Sequence, residues 1–238
     1  MASDPFSSDE TQRYSRHLVL KGMGGQGQQR LKAARVLVVG AGGLGSPVIA
    51  YLAGAGVGVL GIADHDAVSL SNLHRQVIHA ERGINKAQSA ASFAQRLNPH
   101  VNVRLHQEGI TAANADAIIS SYDLVLDGTD NLATRRIVAA ACEAFAVPLV
   151  SGAVSMFDGQ VTVFSPGGSR FSDLYPADAN DTDLPSCEAT GILGPLTGVI
   201  GTLMATEAIK LLTGIGDPLI GRVLTYDGKG GRFSEFML

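Results

Sequence analysis

Short apolar runs alternate along this chain with stretches of helical period. Val36–Val39 ("VLVV") has the pattern of a strand buried on both faces. A glycine-rich turn follows. Leu44–Gly54 then predicts a small-residue helix and Val57–Ala63 a second strand, while residues 65–80 form a polar loop. Further on, "INKAQSAASFAQRLNP" predicts a helix ended by Asn98-Pro99. Val101–His106 predicts a strand, Thr111–Ser120 a helix, and "DLVLDGTDN" a buried strand with a polar end. Leu132–Phe145 predicts a helix and "VPLVSGA" a strand. Such alternation implies a parallel sheet with right-handed crossovers.

Both ends of the chain depart from this rhythm. Residues 9–21 predict a helix, and a glycine turn and a second short helix follow, so helices span about 9–33 before the first strand. Near the other end, "VSMFDGQVTVF" predicts two strands turning at Asp158-Gly159. Residues 165–190 show no clear period, which suits a functional or disordered loop. Pro195 opens a long helix that Gly214 closes. Within it Gly194, Gly198 and Gly201 suit close packing, in the core or at a dimer interface. "GRVLTYDG" and "GRFSEFML" predict a last hairpin-like pair. The expected fold is α/β. It has a Rossmann-like, mainly parallel sheet with helices on both faces, antiparallel strands added in the C-terminal part, and a single domain over 1–238.

Composition narrows the partners. The chain has 238 residues, 45% of them hydrophobic, enough for a full core. Its 18 basic and 22 acidic side chains give a net charge of -4, which argues against nucleic acid or an anionic membrane as partner. The start, "MASDPFSSDE", is too polar for a signal peptide. The uncharged stretch from Ile192 to Thr206 is short for a membrane span. The two cysteines, Cys142 and Cys187, support neither a disulfide framework nor a four-thiolate metal site. A cytoplasmic protein is expected, with Cys142 in the core.

Gly40, Gly42 and Gly45 fill a G-x-G-x-x-G pattern after the first strand, where backbone N–H groups can approach phosphate at a helix N-terminus. Asp64 ends the second strand, placed to accept hydrogen bonds from ribose hydroxyls. These features alone admit an NAD-dependent oxidoreductase. The next segment, "DHDAVSLSNLHRQVIHAERGINK", adds Asn72, Arg75, Gln76 and Lys86. A nicotinamide enzyme has little use for those cations, whereas a nucleoside triphosphate needs them. Asp130-Asn131 reads as a helix N-cap, as a site for chemistry, or as one of each. His17, His74 and His79 read as surface or packing residues.

The segments "RYSRH", "GAGGLGSP", "DHDAVSLSNLHRQ", "DGTDN", "VSGA", "DGQVTVF" and "GVIGTLMATEAIK" together resemble the ThiF/MoeB/HesA family, bacterial relatives of ubiquitin-activating enzymes. The resemblance runs from about Thr11 to the end. It implies ATP-dependent adenylylation of the C-terminal glycine of a small ubiquitin-like sulfur carrier ending in Gly-Gly, with release of pyrophosphate, in thiamine or molybdopterin-type sulfur transfer. It implies that Gly40, Gly42 and Gly43 back the phosphates and that Asp64 holds the ribose. Asn72, Arg75, Gln76 and Lys86 would surround the triphosphate, and Asp130 would bind Mg²⁺. Arg16 would reach ATP in the partner subunit of a homodimer. Cys187, in a crossover loop over about 165–190, would serve a downstream step, with a sulfurtransferase as a further partner. Many relatives hold zinc with two C-x-x-C pairs. Here Ser172 and Tyr175 occupy the first pair's place, and "FSEFML" ends the chain before a second. The resemblance is therefore to a zinc-less variant with a less firmly held crossover loop. A nucleotide-binding scaffold without chemistry is the non-enzymatic alternative.

Overall fold

The computed structural model describes residues 5–176, 178–179 and 191–238. One eight-stranded sheet organises them. In chain order its strands are Arg35–Val39 (β1), Val59–Ala63 (β2), Asn102–His106 (β3), Leu124–Asp127 (β4), Leu149–Ser155 (β5), Asp158–Phe164 (β6), Arg222–Asp227 (β7) and Arg232–Met237 (β8). Their spatial order is β3-β2-β1-β4-β5-β6-β7-β8. The pairs from β3 to β5 are parallel, and those from β5 to β8 are antiparallel.

Successive residues of the central strands feed two cores. Val36 and Val38 point to one side of the sheet, and Leu37 and Val39 to the other. The first side is covered by Gly24–Ala33 (α3), Gly45–Ala55 (α4), Lys86–Leu97 (α5) and the 20-residue helix Gly194–Thr213, here called α9. The second is covered by Ala115–Ile119 (α6), Leu132–Ala144 (α7) and Phe171–Leu174 (α8). Leu52, Leu60, Leu124 and Ile200 are fully buried, and each such side chain contributes about 1.5–3 kcal/mol. Long and apolar enough to span a membrane, α9 instead buries Leu196, Ile200, Met204 and Ala208 in the first core.

Four expectations are corrected. The helix expected over 9–21 is two, Ser8–Arg13 (α1) and Ser15–Leu18 (α2), broken at Tyr14. Tyr14 turns inward to pack against Gly56, and its hydroxyl accepts a hydrogen bond from Asn98 Nδ2 at 2.9 Å. The helix expected over Thr111–Ser120 is shortened to α6. There the Asn114 side chain accepts from Thr111 N–H at 2.8 Å and donates to the Gly109 carbonyl at 3.0 Å, so local bonds displace the first helical turn. The β5–β6 turn is at Met156-Phe157, because Ser155 pairs with Asp158. Gly159 lies within β6, where α9 approaches so closely that a Cβ would overlap the Ile200 side chain. Finally, the segment expected to be irregular from residue 165 contains a short helix, α8, from Phe171. Its Phe171 and Tyr175 rings lie 4.7 Å apart in the second core.

Candidate active site

The chain leaves β1 for β2 and β3 on one side, then returns to place β4 on the other. Beyond the carboxyl ends of these strands lies the crevice where open α/β sheets bind ligands. Here it is an open, largely polar cleft.

The glycine turn forms its floor. Gly40 has φ +89°, a conformation that disfavours a side chain. A Cβ at Gly45 would fall on the Gly40 carbonyl oxygen, so the turn closes only around a hydrogen atom. A Cβ at Gly43 would stand 2.9 Å from Thr197 Cγ2, because α9 supports the turn from below. Gly42 faces the cleft beside Gln76, whose Oε1 is buried without a partner among the described residues. Asp64 is 8% exposed and accepts backbone N–H bonds from Ala41 (2.8 Å) and Asp66 (2.9 Å). It therefore props the turn as well as lining the cleft.

The polar wall comes from the segment after β2. Asn72 is buried, and its Oδ1 accepts from Ser69 N–H at 3.3 Å. Arg75 reaches back one turn to the Ser71 carbonyl at 3.1 Å and lies 3.0 Å from His74. Lys86, at the start of α5, is nearly buried and pairs with Asp66 at 2.9 Å. That hydrogen bond to Lys86 holds the Asp66 carboxyl below its ordinary pKa. Asp66, Asn72, Arg75, Gln76, Lys86 and Asp130 all line this cleft.

Across the cleft, the ambiguity at Asp130-Asn131 resolves into a division of labour. Asn131 caps α7, accepting from Thr134 N–H at 2.8 Å. Asp130 is exposed and makes no hydrogen bond or ion pair among the described residues. Its neighbour Thr129 is clamped: Asp127 Oδ1 accepts from both its N–H (2.9 Å) and its hydroxyl (2.7 Å), and Arg135 donates to its carbonyl. The same guanidinium donates to the Gly152 carbonyl at 2.8 Å, tying the Asp130 loop to β5.

Two site expectations do not join this group. Arg16 is exposed on α2 and does not line the cleft. Cys187 lies outside the described residues. Cys142 is a core residue, where burial and then the nearby Asp127 push its thiol pKa far up, so it is unreactive. Among the described residues no group of three or more His, Cys, Asp or Glu side chains is arranged to hold a metal. At the expected thiolate position, Tyr175 is buried and accepts from Gln160 Nε2 at 2.7 Å. Arg136 holds the Pro176 and Ala179 carbonyls at 2.8 and 3.0 Å.

Sequence reasoning missed Arg135, and it read His79 as a surface or packing residue without its polar contacts. His79 is 6% exposed; its Nε2 lies 2.7 Å from the Ala41 carbonyl and its Nδ1 2.9 Å from Ser89 Oγ. Both residues sit on helical or loop stretches whose period gives no hint of a long-range polar contact. Only Arg135's place just after the "DGTDN" segment offered a signal.

The ThiF family pattern matches residues 14–238. A probable adenylyltransferase/sulfurtransferase MoeZ of Mycobacterium tuberculosis is 49% identical over 229 residues, covering 93% of this chain and 58% of the relative. The adenylyltransferase and sulfurtransferase MOCS3 of Anopheles gambiae is 43% identical over 236 residues, covering 98% and 54%. The chain thus spans a little over half the length of these curated relatives. Among solved structures, PaaA aligns with a TM-score of 0.84 at 21% identity, covering 100% of this chain and 76% of that one. E. coli MccB with ATP aligns with a TM-score of 0.80 at 19% identity, covering 100% and 73%. At those identities the likeness is one of fold.

Proposed function

Because the chain belongs to the ThiF family, we propose that it is an adenylyltransferase that joins AMP from ATP to the C-terminal carboxylate of a small ubiquitin-like sulfur carrier ending in Gly-Gly. The observation that carries this reading is the gathering of the glycine turn, Asp64, Arg75, Lys86 and Asp130 around one cleft at the sheet's switch point. The relatives' names include adenylyltransferase, which supports the reaction; the carrier proposed is one of the thiamine or molybdopterin type.

The chemistry suits these residues. A terminal carboxylate has a pKa of roughly 3.5, so at neutral pH it is already the nucleophile and needs no general base. Its oxygen bonds to the α-phosphorus as the bond to the departing pyrophosphate breaks. The obstacle is repulsion between two anions, so catalysis is charge neutralisation and alignment. Lys86 and Arg75 supply fixed cations, and Asp64 is placed for the ribose. Asp130 fits a magnesium ion: its carboxylate lines the cleft without a partner among the described residues, since Asn131 takes the capping role. Magnesium, when bound, screens the charge of the triphosphate.

The protein is further proposed to act as a cytoplasmic homodimer in which Arg16 serves the partner's cleft. Val19 and Leu20, beside it in sequence, are 78% and 50% exposed, which supports an interface there. Cys187 and a sulfurtransferase belong to a later step. The test is ATP–pyrophosphate exchange in the presence of a Gly-Gly-ended carrier. Asp130→Ala should lower it about a hundredfold or more. Exchange at the wild-type rate would remove Asp130 from the reaction.

A further inference from the structure

His79 has no place in the reaction so far, yet it is buried against the glycine turn. Its Nε2 lies 2.7 Å from the Ala41 carbonyl oxygen, which can only accept, so Nε2 carries the proton. In the neutral ring Nδ1 is then an acceptor, and the Ser89 hydroxyl at 2.9 Å donates to it. Burial lowers the pKa of His79, which favours that neutral form at physiological pH. Ser89 thus fixes the tautomer, and the tautomer fixes the bond to Ala41.

The Ala41 carbonyl and the Gly42 N–H belong to one planar trans peptide and point in opposite directions. A donor that holds the carbonyl on one side aims the N–H to the other. The preceding peptide is held too, since Ala41 N–H donates to Asp64 Oδ2 at 2.8 Å. Gly42 lines the cleft, and Ala41 is fully buried. We propose that His79 is a positioning residue for the phosphates of the nucleotide: by holding the Ala41 carbonyl, it keeps the Gly42 N–H directed at the bound anion. The role rests on the nucleotide reading of the cleft and extends it to a side chain that touches no substrate. A polarised carbonyl also makes its own N–H a better donor, so the bond acts on strength as well as direction.

The test compares ATP and adenosine binding by titration calorimetry, with thermal melting as a control, in His79→Leu, His79→Gln and Ser89→Ala. His79→Leu should weaken ATP binding about tenfold, the worth of one directed hydrogen bond, and leave adenosine binding within about twofold. His79→Gln places an amide nitrogen near the position of Nε2 and should restore ATP affinity to within about threefold of wild type. Ser89→Ala frees the tautomer and should weaken ATP binding about twofold to threefold while the protein stays folded. That variant carries the test if His79→Leu does not fold. Unchanged ATP affinity in His79→Leu or Ser89→Ala, or equal losses for ATP and adenosine, would overturn the proposal, as would failure of glutamine to rescue. Wild-type protein that binds no ATP would instead end the nucleotide reading itself.

Discussion

Gly42 and Gly45 share one turn but lack side chains for different reasons, and the difference can be measured. A Cβ at Gly42 would lie 3.4 Å from Gln76 Nε2, the movable end of a side chain. Gly42→Ala should therefore change stability by no more than about 1 kcal/mol. It should nonetheless weaken ATP binding, because its methyl group stands where phosphate would approach. A Cβ at Gly45 meets backbone, the Gly40 carbonyl. Gly45→Ala should cost about 3 kcal/mol or more, with ATP binding lost through unfolding. Melting curves and calorimetric titration separate the two. The histidines set a pH limit. His79 and His106 are both pushed below their ordinary value of about 6.5, chiefly by burial. Each takes up a proton on unfolding, so stability is full above about pH 6.5 and falls as pH drops toward the folded-state values. His79→Gln should flatten the fall in melting temperature between about pH 7 and 5. An unchanged slope would show that His79 does not titrate on unfolding. Asp66, lowered by Lys86, adds a smaller loss of stability, and only below about pH 4.

Among the elements, the parallel half was legible because its signals are local: apolar runs for strands, periodic helices, and a polar residue at each strand end. The cleft residues were legible for the same reason, since they cluster just after β1, β2 and β4. What misled was glycine and tyrosine used for packing at a distance. Gly159 looked like a turn residue, but it lies flat in β6 so that Ile200 can approach. Gly159→Ala should lower stability by about 1–3 kcal/mol, while a substitution at exposed Phe157, in the actual turn, should cost less. Tyr175 read as an empty ligand position, but its ring lies with Phe171 in the core and its hydroxyl meets Gln160. An aromatic anchor thus stands where the resemblance led a thiolate to be expected. Phe171→Ala should speed hydrogen exchange over residues 171–176 and leave β1 and β2 unaffected. Uniform acceleration would mean global destabilisation instead.

For the whole molecule, the decisive question is whether two chains share a site. Arg16 lies outside its own chain's cleft, on α2. Suppose Arg16→Ala and Asp130→Ala are each inactive and are refolded together in equal amounts. If Arg16 serves its partner, each mixed dimer has one doubly damaged and one intact site. Random pairing should then restore about a quarter of wild-type activity. Background activity from a mixture shown to contain mixed dimers would confine Arg16 to its own chain. The helix α9 has a different reach. It supports Gly43 through Thr197, meets Pro47 through Gly201 and backs β5 through Met204, yet it is among the last elements in the chain. During synthesis at about 5–20 residues per second, the glycine turn leaves the ribosome on the order of ten seconds before the helix that underpins it. Through that interval Leu44 and Pro47 lack the helix that packs against them at Gly201. The nascent chain must wait, with apolar surface uncovered and its glycine turn unsupported, for its closing helix to arrive.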